Sequence, residues 1–584
     1  MDEFTPGREP LQIVEIRQDL CALTYGVAPC QAVLGETGAA KCYNTLGTCQ
    51  DRANFDPRDP LILRFVKPQQ ILPKWLNAIP SLVSVSTRPT ELNVGGGSRD
   101  RGPLGSRATA RATFQDHAHS DALVDPYLAE RDFDPLERST FWAKWRARNP
   151  FYQNRFMIIY DGYLGQALEE MSSRTYLIDR VEGPDSGGRV TITAKDVLKL
   201  ADDDRAQAPA LSPGELAADI DAAAASFDVA ALAADYPESG TLRIGDEVMT
   251  YAGRSETGGV VTFTGVLRGT DGTAAESHSA EDRVQLCLRY TDRPVWRVAH
   301  DLLTVYGRVP AAFVDLAAWD AEGALWLSQF NVTALITEPT GVTELLSELT
   351  EQTLFYVWWD ERRSLIELRA VKPEVDAVPR VTDRDNILEG SLGLTEDPKQ
   401  RVSQVWVFWG LIDPTADVDD EANYTRVRIR ADLEAESERE YGEQRIRKVF
   451  ARWIRSEAVA INLAVRLLAR YRDTPAFLTF RLDAKDRALW TGDAVRVTTR
   501  IRVDESGRET TEVWQVISAE ESLSGEAVDY KLQRSDFGDG RFWFWMDEDA
   551  PSFAEATDEQ TRRGAWWADE DGKLPDGSEG WKWI

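Results

Sequence analysis

Short apolar runs alternating with polar residues recur along the chain, and this period-two pattern predicts a mainly β protein. Leu11–Ile16, Leu61–Phe65, Leu82–Thr87 and Phe156–Tyr160 read as strands, the last followed by a turn at Asp161-Gly162. Arg107–Phe114 combines small and β-branched residues, with Arg on one parity. Thr175–Gly183 and Arg189–Ala194 flank Pro-Asp-Ser-Gly-Gly, a hairpin signature. Strand patterns return at Gln404–Trp409, at Thr425, Val427 and Ile429, at Phe477–Leu482, and after the turn Thr491-Gly492-Asp493.

Helical periodicity is rarer. Phe141–Arg146 and Val298–Tyr306 predict short helices. Val342, Leu345, Leu346 and Leu349 follow the i, i+3, i+4, i+7 spacing behind Thr340, a candidate N-cap. Val459, Leu463 and Leu467 step by four beside Ile461, Val465 and Leu468. Leu354–Trp358 and Leu365–Arg369 predict a hairpin over Asp360–Arg363.

The resulting fold class is mainly β with minor α (α+β), multidomain. Residues 1–55 form a Cys-rich segment, 56–204 a first β domain and 205–290 a small Gly-punctuated β module entered through a linker near 201–212. An α+β region follows at 291–400 and a second β domain at 401–540. Residues 541–584, acidic and rich in Trp (Trp543, Trp545, Trp566, Trp567, Trp581, Trp583), lack the aliphatics for a core and are expected to form an arm that docks on a partner.

Charge narrows the functional classes. The 584 residues carry a formal net charge of -30, which argues against a general duplex-binding surface but suits a wall past which DNA slides. No apolar run approaches the ~18 residues of a membrane span. The Met1–Pro6 start has neither a basic nor an apolar signal region, so folding in a reducing cytoplasm is expected. Four histidines leave little material for imidazole chemistry.

Candidate chemistry concentrates at Cys21, Cys30, Cys42 and Cys49, four of the five cysteines. A reducing compartment favours a metal centre over disulfides there. Their spacing, C-x8-C-x11-C-x6-C, lacks the tight knuckles usual for structural zinc. Wide loops allow four thiolates to converge on a larger body, so an iron–sulfur cluster, [4Fe-4S], is favoured over zinc, with disulfides or buried free thiols as the metal-free alternatives. Its expected role is structural, pinning a segment that lacks a core. Cys287, in an alternating strand, reads as a buried core residue. His117 and His119 read as solvated turn residues, and His278 and His300 as isolated. The acidic run Asp417–Glu421 lacks calcium-loop spacing. Neither HExxH nor GxSxG occurs, and no catalytic residue is singled out.

Several blocks carry a resemblance in a defined order. They include Thr24–Cys30, Lys41–Thr45, Thr48–Asp51, Ile79–Val85, Thr113–His117, Lys195–Leu198, Arg268–Thr273, Leu335–Thr340 and Leu482–Asp486. In these the chain resembles the central hub (baseplate hub or minor tail) proteins of long-tailed phages and gene-transfer-agent tail tips. The resemblance implies a structural virion protein rather than an enzyme. It implies a homotrimer at the tail tip, assembled in the bacterial host cytoplasm, with two tube-like β-barrel domains per chain. Implied partners are the distal tail protein, the tape-measure C-terminus and the spike or fibre proteins, with DNA passing through the lumen. Proteins similar to this family carry an iron–sulfur cluster, which agrees with the cysteine reading. Two readings from other classes, an iron–sulfur oxidoreductase and a tail-associated cell-wall hydrolase, lack a supporting motif in the residues.

Overall fold

The structure, a computed structural model, describes residues 4–535 except 6, 71, 75, 95–103, 123, 203–205 and 373–377, and beyond them 544–545, 551–552, 554–557 and 564–565. Most of the arm expected at 541–584, Trp566 and Trp567 included, lies outside the described residues.

Seven antiparallel strands form the first sheet: β1 (Pro10–Leu20), β2 (Asp59–Phe65), β3 (Leu82–Arg88), β4 (Thr109–Gln115), β5 (Phe156–Tyr163), β6 (Ser172–Glu182) and β7 (Arg189–Lys195). Their order is β2-β1-β5-β6-β7-β4-β3. Helix α1 (Phe141–Arg148) packs into this sheet's core. The alternation in β4 explains the fit. Ala108, Ala110, Ala112 and Phe114 all turn inward, and the small alanines leave room for Trp142, stacked 5.1 Å from Phe65. The edge strands β2 and β3 meet only near one corner, where Ile79 N–H donates to Arg64 O (2.8 Å) and Leu82 N–H to Val66 O (3.0 Å). Among the described residues no ladder closes the ring, so the expected barrel is a curled, open sheet. The turn expected at Asp161-Gly162 is strand. Asp161 is fully buried against Arg174 of β6, and the chain turns later, at Gly165 (φ +93°).

A second sheet has the order Arg380–Thr382, Ala494–Val503, Glu509–Leu523, Ala527–Arg534, Ala476–Asp483, Gly393–Glu396, and it too is open. It thus takes two short strands from before residue 401. Strands Gln404–Leu411, Tyr424–Ala431 and Ile446–Ala451 do not join it. They form a separate three-stranded sheet beneath helix Glu457–Tyr471, in a large core shared with helices Val295–Asp301 and Val342–Thr353. The Val342–Thr353 helix buries Val342, Leu345, Leu346 and Leu349 as its spacing predicts. Its cap is Gly341, however, because the Thr340 hydroxyl donates to Glu338 O instead. The stretch expected as a linker near 201–212 is partly structural. Gln207–Ala208 pairs with Thr340–Gly341, burying Ala206 and Ala208. The module between Leu216 and Val284 has its own apolar core.

Candidate functional site

The four N-terminal cysteines lie on loops that leave β1 and return at β2. Cys21 follows the end of β1 and exchanges bonds with Asn44, its N–H donating to Asn44 O (2.7 Å) and Asn44 Nδ2 to Cys21 O (3.1 Å). Cys49 follows the short turn Leu46–Thr48. All four thiols are free and partly exposed. Burial pushes the Cys42 thiol up. The Asn44 N–H opposes this, and Cys49, Cys30 and Cys21 each push it further up. The Cys49 thiol is raised likewise, by burial first, with Cys21 and Cys30 adding to it against the Asp51 N–H. The four groups are therefore near enough to feel one another's charge. The Asp56 N–H lies 3.5 Å from Cys21 Sγ. Cys42 and Cys49 thus each have a backbone N–H that favours the thiolate.

Among the described residues, no three Cys, His, Asp or Glu side chains gather closely enough to hold a single metal ion. A tetrahedral zinc with sulfurs at 2.3 Å would hold them about 3.8 Å apart.

Polar contacts fix the loops. Tyr43 lies between the guanidinium groups of Arg131 (4.1 Å) and Arg148 (4.0 Å). Arg131 pairs with buried Asp125 (2.8 Å) and donates to the carbonyls of Lys41 (2.7 Å) and Cys42 (3.0 Å). Arg148 pairs with Asp121 (2.6 Å), and its carbonyl accepts from Thr45 Oγ1 (2.7 Å). A Cβ on Gly47 would sit 2.7 Å from that same carbonyl, so glycine permits the approach. Of residues 21–56, only Tyr25 and Ala32 are buried apolar side chains, and neither joins a core cluster. His117 and His119 are not simply solvated: both rings pack on Phe141, with centroids 5.6 and 5.1 Å away.

A second polar centre went unseen in the sequence. Glu247, fully buried, accepts from Arg268 Nε (2.7 Å) and Nη2 (2.6 Å), from the Gly269 and Glu276 N–H groups and from His278 Nε2 (2.8 Å). Burial alone would raise its pKa, but the Arg268 bond, with the Glu276 N–H, His278 and the Gly269 N–H, holds it down at about 2. His278 is therefore a partner of Glu247 and not isolated. The block Arg268–Thr273 serves the same knot: Thr273 Oγ1 accepts the Val248 N–H (3.0 Å) and Asp271 pairs with Arg289 (2.6 Å). Every Glu247 contact is internal, which leaves no open coordination for a ligand.

A third cluster joins the two large sheets. Asp161 pairs with Arg174 (2.7 Å) and accepts from Gln12 (2.8 Å) and Ser524 (2.6 Å). Burial opposes its charge, yet Arg174, Ser524 and Gln12 keep it below the ordinary carboxylate range. Glu361 is pushed up to about 7, chiefly by burial. Glu521 faces Arg362 at 3.8 Å. Tyr163 donates to Gly525 O (2.6 Å), Thr87 to Glu520 (3.1 Å) and the Leu92 N–H to Ile517 O (2.8 Å). These groups weld one sheet to the other.

No protein-family model matches the chain, and no curated protein matches it. In fold it is similar to a tail protein from Neisseria meningitidis, at 10% identity and a TM-score of 0.37, over 77% of this chain and 91% of that one. It is similar also to the 43 kDa tail protein of prophage MuSo2 from Shewanella oneidensis, at 11% identity and a TM-score of 0.36, over 78% and 98%. Prophage tail protein gp18 from Listeria monocytogenes aligns at 10% identity and a TM-score of 0.29, over 66% and 86%. Likeness at this level carries no functional argument.

Proposed function

We propose that the chain is a structural, non-enzymatic component of a phage-type tail, the trimeric hub of its tip. One observation carries the reading: two curled sheets, one of seven antiparallel strands and one of six strands with a single parallel edge pair, lie in one chain and are fixed to each other through the Asp161–Arg174 cluster. A chain built this way offers two sheet modules per copy, so three copies would present six around an axis, matching a sixfold tube to a threefold tip. The ordered sequence blocks from Thr24 to Asp486 support the same reading. The distal tail protein and the tape-measure C-terminus would contact it from above and the spike or fibre proteins from below. With a formal charge of -30 the passage would let DNA through without retaining it.

Cys21, Cys30, Cys42 and Cys49 would hold an iron–sulfur cluster, whose metal–thiolate bonds tie together a segment that lacks an apolar core. Arg131, Arg148 and Tyr43 position the loops that present these thiols. The test is sedentary and visual: sedimentation equilibrium of the full chain, followed by electron microscopy of the same sample. The reading expects three copies and threefold rings with an axial opening. A monomer at all concentrations, with no ring, would contradict it.

A further inference from the structure

Strand Tyr424–Ala431 is an edge of the three-stranded sheet. It pairs with Gln404–Leu411 on one side and with no strand on the other among the described residues. Unlike the protected edges usual in soluble proteins, it is exposed along nearly its whole length. Its register sets two chemically distinct faces. Arg426, Arg428 and Arg430 lie across from Trp409, Val407 and Val405, on the side of helix Glu457–Tyr471. Val427 and Ile429, 45% and 46% exposed, lie across from Phe408 and Trp406, beside Phe450 of the far strand. That second face carries an aromatic cluster in which Phe408, Leu411 and Tyr424 are buried while Trp406 and Phe450 are only partly covered. The arginines are poorly paired: Arg426 and Arg428 reach only the one carboxylate of Glu457, at 3.9 and 4.0 Å, and Arg430 has no carboxylate partner among the described residues. In a chain of net charge -30, three such arginines on an open strand are a local reversal of sign.

We propose that this edge is the docking site of the chain's own acidic, aromatic C-terminal segment, 541–584, which adds to it in extended form. The chemistry matches on both faces. Phe542-Trp543-Phe544-Trp545 offers aromatic surface for Val427, Ile429 and Trp406, and Asp547-Glu548-Asp549 follows at once with charge for the arginines. The reach matches too. Asp432, just past the edge strand, pairs with Arg472 (2.6 Å) at the end of the long helix. Five residues later Phe477 lies opposite Gln533 of the last strand of the second sheet. The chain therefore leaves that sheet within roughly 20–25 Å of the edge, and ten extended residues span about 33 Å. A tethered segment at that distance binds at high effective concentration, so modest contacts suffice. The short pairing of Phe544–Trp545 with Gly564–Ala565 occupies one edge of each strand, and the other edge pairs with no strand among the described residues.

Amide exchange across Tyr424–Ala431 tests this in the full chain, in the triple variant R426E/R428E/R430E and in a chain ending at 540. Exchange across Gln404–Leu411 reports that the sheet remains folded. The full chain should protect the outward amides of the edge strand at least tenfold more than either variant, independently of protein concentration. A peptide of residues 541–584 should restore protection to the shortened chain and not to the arginine variant. Equal exchange in all three proteins would overturn the proposal. So would protection that disappears on dilution of the full chain, which would mark the occupant as a strand from a second copy.

Discussion

Residues 21–56 and the module spanning Leu216 to Val284 are both loop-rich and both turn around a polar centre, but they are held differently. The module has its own apolar core, and its centre, Glu247, has its acceptors filled by Arg268, His278 and two backbone N–H groups. The cysteine segment contributes two buried apolar side chains, and its centre is four thiols, of which Cys42 and Cys49 are pushed up by burial first and then by the charge of their neighbours. A polar centre satisfied from within, over a core, needs nothing added. Thiols brought together without a core, and destabilised as thiolates by one another's charge, gain most from a bound cation, which removes the repulsion and closes the loops. On the proposed cluster, the ligand-dependent part of this protein lies before residue 57, and the module needs no ligand.

The largest test of the contrast is Cys42→Ser. If a bound centre holds the segment, this single change should open residues 21–56 to protease and raise their amide exchange at least tenfold, leaving the Leu216–Val284 module unchanged. Exchange unaltered in both regions would place the cysteine segment in the same class as the module. A smaller effect is expected from Glu247→Gln, which should cost about 3 kcal/mol, the order for removing one member of a buried pair, measured by denaturant unfolding. The pH dependence has a fixed sign. The folded carboxylate titrates near 2, below its ordinary 4.5, so its stabilising share is complete above about pH 4.5 and is lost as the pH falls through about 2. The gap between wild type and E247Q should stay constant at neutral pH and narrow in acid. A gap that is absent at pH 7 would remove Glu247 as the organiser of its module.

Much of the fold was legible because local patterns and tertiary demands coincide. The alanines of β4 alternate, Leu345, Leu346 and Leu349 share one helix face, and Pro-Asp-Ser-Gly-Gly turns between β6 and β7. What misled was polarity inside strands. Asp161 looks like a turn residue, yet Arg174, 13 positions on in sequence and brought beside it by the pairing of β5 with β6, makes it a core residue. The Glu247 centre was not legible at all, because Glu247, Arg268 and His278 span about thirty positions and meet only when the module closes. The cysteines were legible as a set from their clustering, but spacing alone does not reveal the Arg131–Tyr43–Arg148 stack that presents them. Sheet closure was likewise beyond the pattern, since curling and closing use the same alternation and differ only in whether the edges β2 and β3 pair.

The most direct measurement is the iron and acid-labile sulfide content of anaerobically purified full-length protein, with its visible absorption spectrum, alongside the Cys42→Ser variant. About four irons and four sulfides per chain are expected, with charge-transfer absorption in the wild type and loss of both in the variant. A colourless wild-type protein without iron or sulfide, whose residues 21–56 nevertheless resist protease, would contradict the account.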